Sequence, residues 1–427
     1  MSKKKRGVIL LALLLAAMAM VPCASAGEQN ENALITDEIA AMAVDSNSVQ
    51  MPQLHYNSTQ PGIILTNELV LDADVKTDQI KKEIESSQAP VITGIPFGAI
   101  VHHSADGVTT VFDSTGEQLF SAEDSKSAMV NTPNEPLPAT SVFEVPDKSL
   151  IVENKSIINV FYEKNRILTI ITDPAIGRKS IIARQQSLDR WIEYGETASI
   201  TTVGQFSARW NVPKSPTLVH QYTPGSSLDG TVSTVWNGLE TSSGNYLLQP
   251  VLEWYVRDTA TSPYPTIANW SIATWWVPPG NGIHSTRRYG IPSTGELILP
   301  GHQVQGNMMH SGAIWFGAIS DLSLGVSSTL FLDTTQSDQL TYQNLRAFTV
   351  LEGWNPYLLS PSSYDYRYIP GPVTFGNIVI NDIDGNNAIP ASIPATINSA
   401  TWNPTNYGLS VTNSAWPTSI TLTTGNI

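Results

Sequence analysis

The sequence is short of cysteine, of charge and of long apolar runs, and each shortage removes a class of explanation. Cys23 is the only cysteine among 427 residues. Thiol nucleophiles, zinc–thiolate sites and a disulfide framework are excluded for a chain that starts after it. A fold of this length then rests on burial alone. Lys and Arg total 23 against 37 Asp and Glu, a formal charge of −14. With no basic cluster to neutralise phosphates, nucleic acid is not an expected partner. The one apolar run, residues 7–21, follows Lys3, Lys4, Lys5 and Arg6 and precedes Ala24-Ser25-Ala26. This is the layout of a secretory signal peptide, and the run is short for a bilayer span. Cleavage after Ala26 would start the mature chain at Gly27, secreted and free of the membrane. The rival, a lipid anchor on Cys23, fits poorly behind Pro22. Nucleophile-elbow, HExxH and phosphate-loop motifs are all missing. His220, His284, His302 and His310 show no ligand spacing, so neither metal nor cofactor is expected.

What is present divides near residue 200. Residues 27–200 carry 25 acidic and 12 basic side chains, about a fifth of the segment, whereas residues 201–427 carry 12 and 7, under a tenth. Ten of the eleven tryptophans lie in the second segment. The contrast predicts two units: 27–200, a propeptide or accessory domain, and 201–427. In the first, helix-compatible sequence at 34–42 and 78–87 precedes β-type runs at 98–102, 109–112, 157–162 and 167–171. Asp106-Gly107 and Ser114-Thr115-Gly116 punctuate them as hairpin turns would, giving a small α+β or β-rich domain. His102-His103 is tempting as a metal pair, but adjacent strand residues face opposite ways.

The second unit is uniform. Runs rich in Val, Ile, Thr, Trp and Tyr recur at 231–236, 247–255, 272–277, 313–319, 327–332, 347–352, 373–380 and 419–423, between Pro, Gly, Asn and Ser clusters. No stretch of ten residues keeps a helical period. Many short strands with regular turns predict an all-β antiparallel sandwich, and aromatic content with few charges suits a sheet face that binds an extended peptide or glycan.

Seven segments of this unit, taken in order, resemble the eqolisins, the glutamic peptidases. They are Ser207–Pro213 (SARWNVP), Trp236–Glu240 (WNGLE), Leu247–Val251 (LLQPV), Ala273–Pro278 (ATWWVP), Pro300–Val304 (PGHQV), Ala347–Glu352 (AFTVLE) and Val373–Asn377 (VTFGN). The resemblance spans residues 206–424 and implies a concanavalin-like sandwich and a secreted endopeptidase, acting on protein or peptide as a monomer. It implies catalysis by Gln249 and Glu352 on neighbouring strands, with Trp236 and Trp276 walling the substrate site and Glu240 orienting the pair. The chemistry is coherent: a carboxylate can take a proton from water and return it to the leaving nitrogen, and an amide can donate to the oxyanion. Phe348, Val350 and Trp354 share the parity of Glu352 along a strand, so it is expected among large apolar groups. The chain departs from the family pattern at Pro250, at Glu240 in place of an aspartate, and in a Trp236-to-Gln249 spacing one residue short. Two other readings stay open. One is a lectin-like module that binds without hydrolysis. The other is a glycoside hydrolase pairing Glu352 with Glu240 or Glu253.

Overall fold

A computed structural model describes residues 95–127, 129–132, 136–173, 191–216, 230–257, 267–288, 297–334, 340–353, 369–388, 395–397, 409–412 and 419–424. The leader, the helix-compatible stretches at 34–42 and 78–87, and Trp354 lie outside the described residues.

The described chain is nearly all strand. The first unit holds β1 (Ala99–His103), β2 (Val108–Phe112), β3 (Gln118–Glu123), β4 (Met129–Asn131), β5 (Pro136–Pro138), β6 (Val142–Val145), β7 (Ser149–Asn154), β8 (Ile157–Tyr162), β9 (Asn165–Thr172) and β10 (Trp191–Glu196). Then come β11 (Ile200–Thr202), β12 (Gln205–Asn211), β13 (Gly230–Thr241), β14 (Leu247–Arg257), β15 (Ile267–Val277), β16 (Gly282–Ser285) and β17 (Gln303–Ser311). The last are β18 (Ile314–Asp321), β19 (Val326–Asp333), β20 (Gln343–Gly353), β21 (Val373–Asn381), β22 (Ala395–Ile397), β23 (Ser410–Thr412) and β24 (Ser419–Thr423). Every β-type run read from the sequence lies on or overlaps a strand. Gly107 and Gly116 take φ of 82° and 91° in the two expected hairpin turns, a region open to glycine at no steric cost.

Two sheets form the sandwich. A nine-stranded sheet runs β22-β10-β20-β13-β14-β15-β16-β6, with β11 added on β20. A thirteen-stranded sheet runs β23-β24-β21-β12-β17-β18-β19-β7-β8-β9-β1-β2-β3. The β4–β5 hairpin forms a third, two-stranded sheet. Between the large sheets lies one core, drawing on Val101, Val160 and Ile170 from the first unit and Leu248, Ile272, Trp315 and Leu351 from the second. The change of composition near residue 200 therefore marks no gap in packing. Moreover, β6 pairs in parallel with β16, and β7 in parallel with β19, so the first unit extends both sheets by backbone hydrogen bonds.

The nine-stranded sheet also buries its outer face. Trp191, Trp236, Leu247, Val251, Trp275, Phe348 and Val350 form a separate apolar cluster there. β4 lies against β13, and a Cβ on Gly282 would meet Thr132 and Leu137 of the hairpin region together with the Trp275 ring, at 3.3 to 3.5 Å. The hairpin thus covers part of that face.

Candidate active site

Strand register decides which side chains share the outer face and how far apart they stand. Glu352 on β20 pairs with Thr234 on β13, and Thr234 pairs in turn with Glu253 on β14. Alternation then places Phe348, Val350 and Glu352 with Thr234, Trp236, Gly238 and Glu240, and with Gln249, Val251 and Glu253. The parity expected around Glu352 is present, and the side chain is completely buried. Its Oε2 accepts hydrogen bonds from Thr234 Oγ1 and Trp236 Nε1, both at 3.1 Å.

Gln249 occupies the same face, also with no exposed surface, but not the same place. It lies opposite Gly238, four residues along β13 from Thr234, and β13 separates its strand from that of Glu352. At about 3.3 Å per residue the offset is roughly 13 Å along the strand. The expectation that the two sit on neighbouring strands as a contacting pair is not met. The Trp236 indole spans the interval. Its benzo edge lies over Gly238, where a Cβ would fall 2.9 Å from Cζ3 and 3.2 Å from the Gln249 Cβ, while its Nε1 reaches Glu352. Glycine at 238 is what lets the ring lie flat on the sheet. Neither polar atom of the Gln249 amide has a hydrogen-bond partner among the described residues. An amide desolvated without partners is costly, and such groups in native folds call for a reason.

The other expected residues divide. Glu240 shares the face, held at 2.6 Å by Arg346, which also binds Glu196 at 2.6 Å, so it anchors an ion cluster beyond Gly238. Trp276 does not belong to the site. It points into the core between the sheets, stacked on Tyr246 with ring centroids 5.6 Å apart. Trp275, one residue earlier, has the outward parity and takes the position expected of Trp276.

Glu253 is the group that the resemblance passed over. It is fully buried. Oε1 accepts from Trp275 Nε1 at 2.7 Å, and Oε2 pairs with Arg287 Nε at 2.7 Å and with Ser271 Oγ at 3.4 Å. Arg287 lies over the Trp275 ring and 3.6 Å from Glu144 of β6. Burial raises the pKa of Glu144, Arg287 opposes that rise, and Glu253 adds to it. His284, 4.3 Å from Trp275 between ring centroids, is held far below the usual imidazole range by burial and then by Arg287. The signal for Glu253 was available: Gln249, Val251 and Glu253 alternate on one strand. Two carboxylates, Glu352 and Glu253, therefore stand in one row across Thr234, their Cα atoms about 10 Å apart at the usual strand spacing.

Among the described residues no group of three or more His, Cys, Asp or Glu side chains could hold a metal ion, and His102 and His103 diverge as alternation requires, His103 alone being fully inward.

No protein-family profile matches the chain, and no curated protein does. Among solved structures it is similar to a scytalido-glutamic peptidase with a peptide-based transition-state analogue, at 16% identity and a TM-score of 0.35, over 55% of this chain and 98% of that one. It is similar to SCP-B, an eqolisin peptidase in complex with the tripeptide Ala-Ile-His, at 16% identity and a TM-score of 0.34, over the same shares. An alginate lyase from Klebsiella pneumoniae follows at 13% identity and 0.25, over 47% of this chain and 61% of that one.

Proposed function

We propose that this chain is an exported hydrolase of the glutamic-peptidase type, with Glu352 as the group that takes a proton from water and returns it to the leaving nitrogen. The observation that carries the reading is a carboxylate and an unbonded primary amide, both fully buried, at the two ends of one indole on an aromatic sheet face. The ordered resemblance of seven segments to the eqolisins supplies the substrate class, a protein or peptide. An extended peptide laid along β13 would meet Glu352 at one point and Gln249 about four residues away. Gln249 then binds a substrate carbonyl at a distance from the cut and does not donate to the oxyanion. Trp236 floors the groove between them, and Trp275 walls it. No part of the Glu352 side chain is exposed, so water entry requires a local opening of this face.

One observation favours a second reading, glycoside hydrolysis: the row formed by Glu352, Thr234 and Glu253. Carboxylates on alternate strands fall within reach of the separations used by inverting glycosidases, about 6.5 to 9.5 Å. Arg287 and Trp275 hold the Glu253 carboxylate in place in that row. The experiment assays the exported protein against denatured protein and against a panel of polysaccharides between about pH 2 and 7. Proteolysis lost in Glu352→Gln and retained in Glu253→Gln is the expected result. Glycan cleavage lost in both variants would transfer the assignment to the second reading, and no cleavage of either substrate class would remove both.

A further inference from the structure

The offset of Gln249 leaves the carbonyl oxygen of a peptide bond cut at Glu352 without a donor, although charge developing on that oxygen is what such sites stabilise most. Trp191, on β10, pairs in register with Glu352. It is the only tryptophan of residues 27–200, and it precedes every segment that resembles the eqolisins.

Local structure holds its ring on the outer face. Positions 191 and 194 differ in parity, yet Trp191 and Tyr194 both belong to the outer apolar cluster. The bulge between Trp191 and Glu193 adds the residue that turns both outward. The Trp191 ring reaches over β20 to Phe348 and Trp236, with centroids 5.1 and 5.5 Å away, and Tyr194 packs on it at 5.1 Å. All three contacts are edge-to-face, an arrangement that aromatic pairs favour. A ring wedged in this way has its N–H set before substrate arrives, and a donor set in advance costs no reorganisation during the reaction.

Three indoles share this face, Trp191, Trp236 and Trp275, and two have spent their N–H. Trp236 donates to Glu352 at 3.1 Å and Trp275 to Glu253 at 2.7 Å. The Trp191 N–H is buried and has no partner among the described residues. Glu352, its partner in register, accepts from Thr234 and Trp236 instead. A buried indole N–H ordinarily finds an acceptor, and one that lacks it calls for a reason.

We infer that Trp191 is the oxyanion donor of this site, its Nε1–H bonding to the carbonyl oxygen of the scissile peptide as that oxygen becomes negative. The inference rests on the peptidase reading. As Glu352 takes a proton from water, the water oxygen bonds to the carbonyl carbon and the π pair moves onto the carbonyl oxygen, where Trp191 donates. When that pair returns, the C–N bond breaks and the nitrogen takes the proton from Glu352. Water and a peptide bond become a carboxylic acid and an amine, and the indole is unchanged. An indole N–H only donates, so it cannot divert the proton that Glu352 carries. Residues 27–200 then supply a catalytic residue as well as strands.

The test uses the exported protein and a quenched fluorescent peptide copied from a site that it cuts in denatured protein. Trp191→Phe keeps a ring and removes the N–H. Its kcat is expected to fall about 100- to 1,000-fold, the usual loss for one such donor, with KM little changed. A second readout does not depend on turnover. The ligand is the aldehyde of the same peptide, whose hydrate presents the two oxygens of the tetrahedral species. In protein with isotope-labelled indoles, the Trp191 N–H resonance is expected to move downfield when that aldehyde binds. Where Trp191→Phe fails to fold, Trp191→Tyr identifies the resonance by its loss and the shift decides. An unchanged kcat, a rise in KM alone, or a resonance that does not move would each overturn the donor and leave the peptidase reading standing. A wild type that cleaves nothing would remove both.

Discussion

Glu193 offers the sharpest quantitative test of the fold. A bulge between Trp191 and Glu193 turns the chain so that Trp191 stays on the outer face beside Glu352, while Glu193, opposite Leu351, points into the core between the sheets. The carboxyl is fully buried, and neither oxygen makes a hydrogen bond of good geometry. Burial raises its pKa from 4.5 to about 9; the backbone amides of Ser410 and Thr423 lie close enough to oppose this but do not offset it. A carboxyl whose folded value is raised contributes stability that is complete below 4.5 and is lost as pH climbs through 9. At pH 7 the gap from 4.5 corresponds to roughly 3 kcal/mol at 1.36 kcal/mol per unit, an upper bound if water follows the charge. Glu193→Gln removes the titration and keeps the shape. Urea unfolding from pH 4 to 9 is expected to find the two proteins equal near pH 4 and the variant more stable by about 2 to 3 kcal/mol at pH 7. A variant that is less stable at pH 7, or a difference that does not change with pH, would refute the reasoning.

Arg287→Met strands Glu253 as a buried charge without its partner, and thermal or chemical unfolding should register a loss of about 3 to 5 kcal/mol. His103 and His310, both held near 4 by burial, contribute stability that is present above 6.5 and lost as pH falls through 4. With Glu193 acting in the opposite direction, the wild-type unfolding free energy should peak near pH 6.5, where the two histidines and the carboxyl balance, and a monotonic profile would contradict the assignments. A chain begun at Gly195 lacks most of β10 together with β6 and β7, and should show neither cooperative unfolding nor native near-ultraviolet dichroism. A cooperative transition from that fragment would mean that residues 201–427 hold a sufficient core by themselves.

The strands were legible because alternation and turn chemistry are local. Val, Ile, Thr and Trp runs bounded by Gly and Asn specify an extended segment and its two faces, and the parity of Phe348, Val350 and Glu352 followed from spacing alone. What spacing cannot carry is the offset between strands far apart in the chain. Sliding β20 against β13 by two residues preserves every face and moves Glu352 by about 7 Å. That is why Gln249 and Glu352 read as a pair and stand at opposite ends of an indole. Trp275 and Trp276 posed the same difficulty at single-residue scale: two adjacent aromatics on a strand buried on both sides give no pattern to tell inward from outward. The covering hairpin and the buried Glu193 were invisible for a related reason, since both depend on which distant segment lies above.

The two parallel joints, β6 on β16 and β7 on β19, bear on what cleavage of this chain would produce. A protease that cut between β9 and β10 would sever one covalent link and leave seven strands paired into the two large sheets, with their share of the core, in place. The product would run as two polypeptides under denaturing conditions and as one particle in gel filtration. Maturation by such a cut would create a heterodimer whose smaller subunit remains a wall of both sheets.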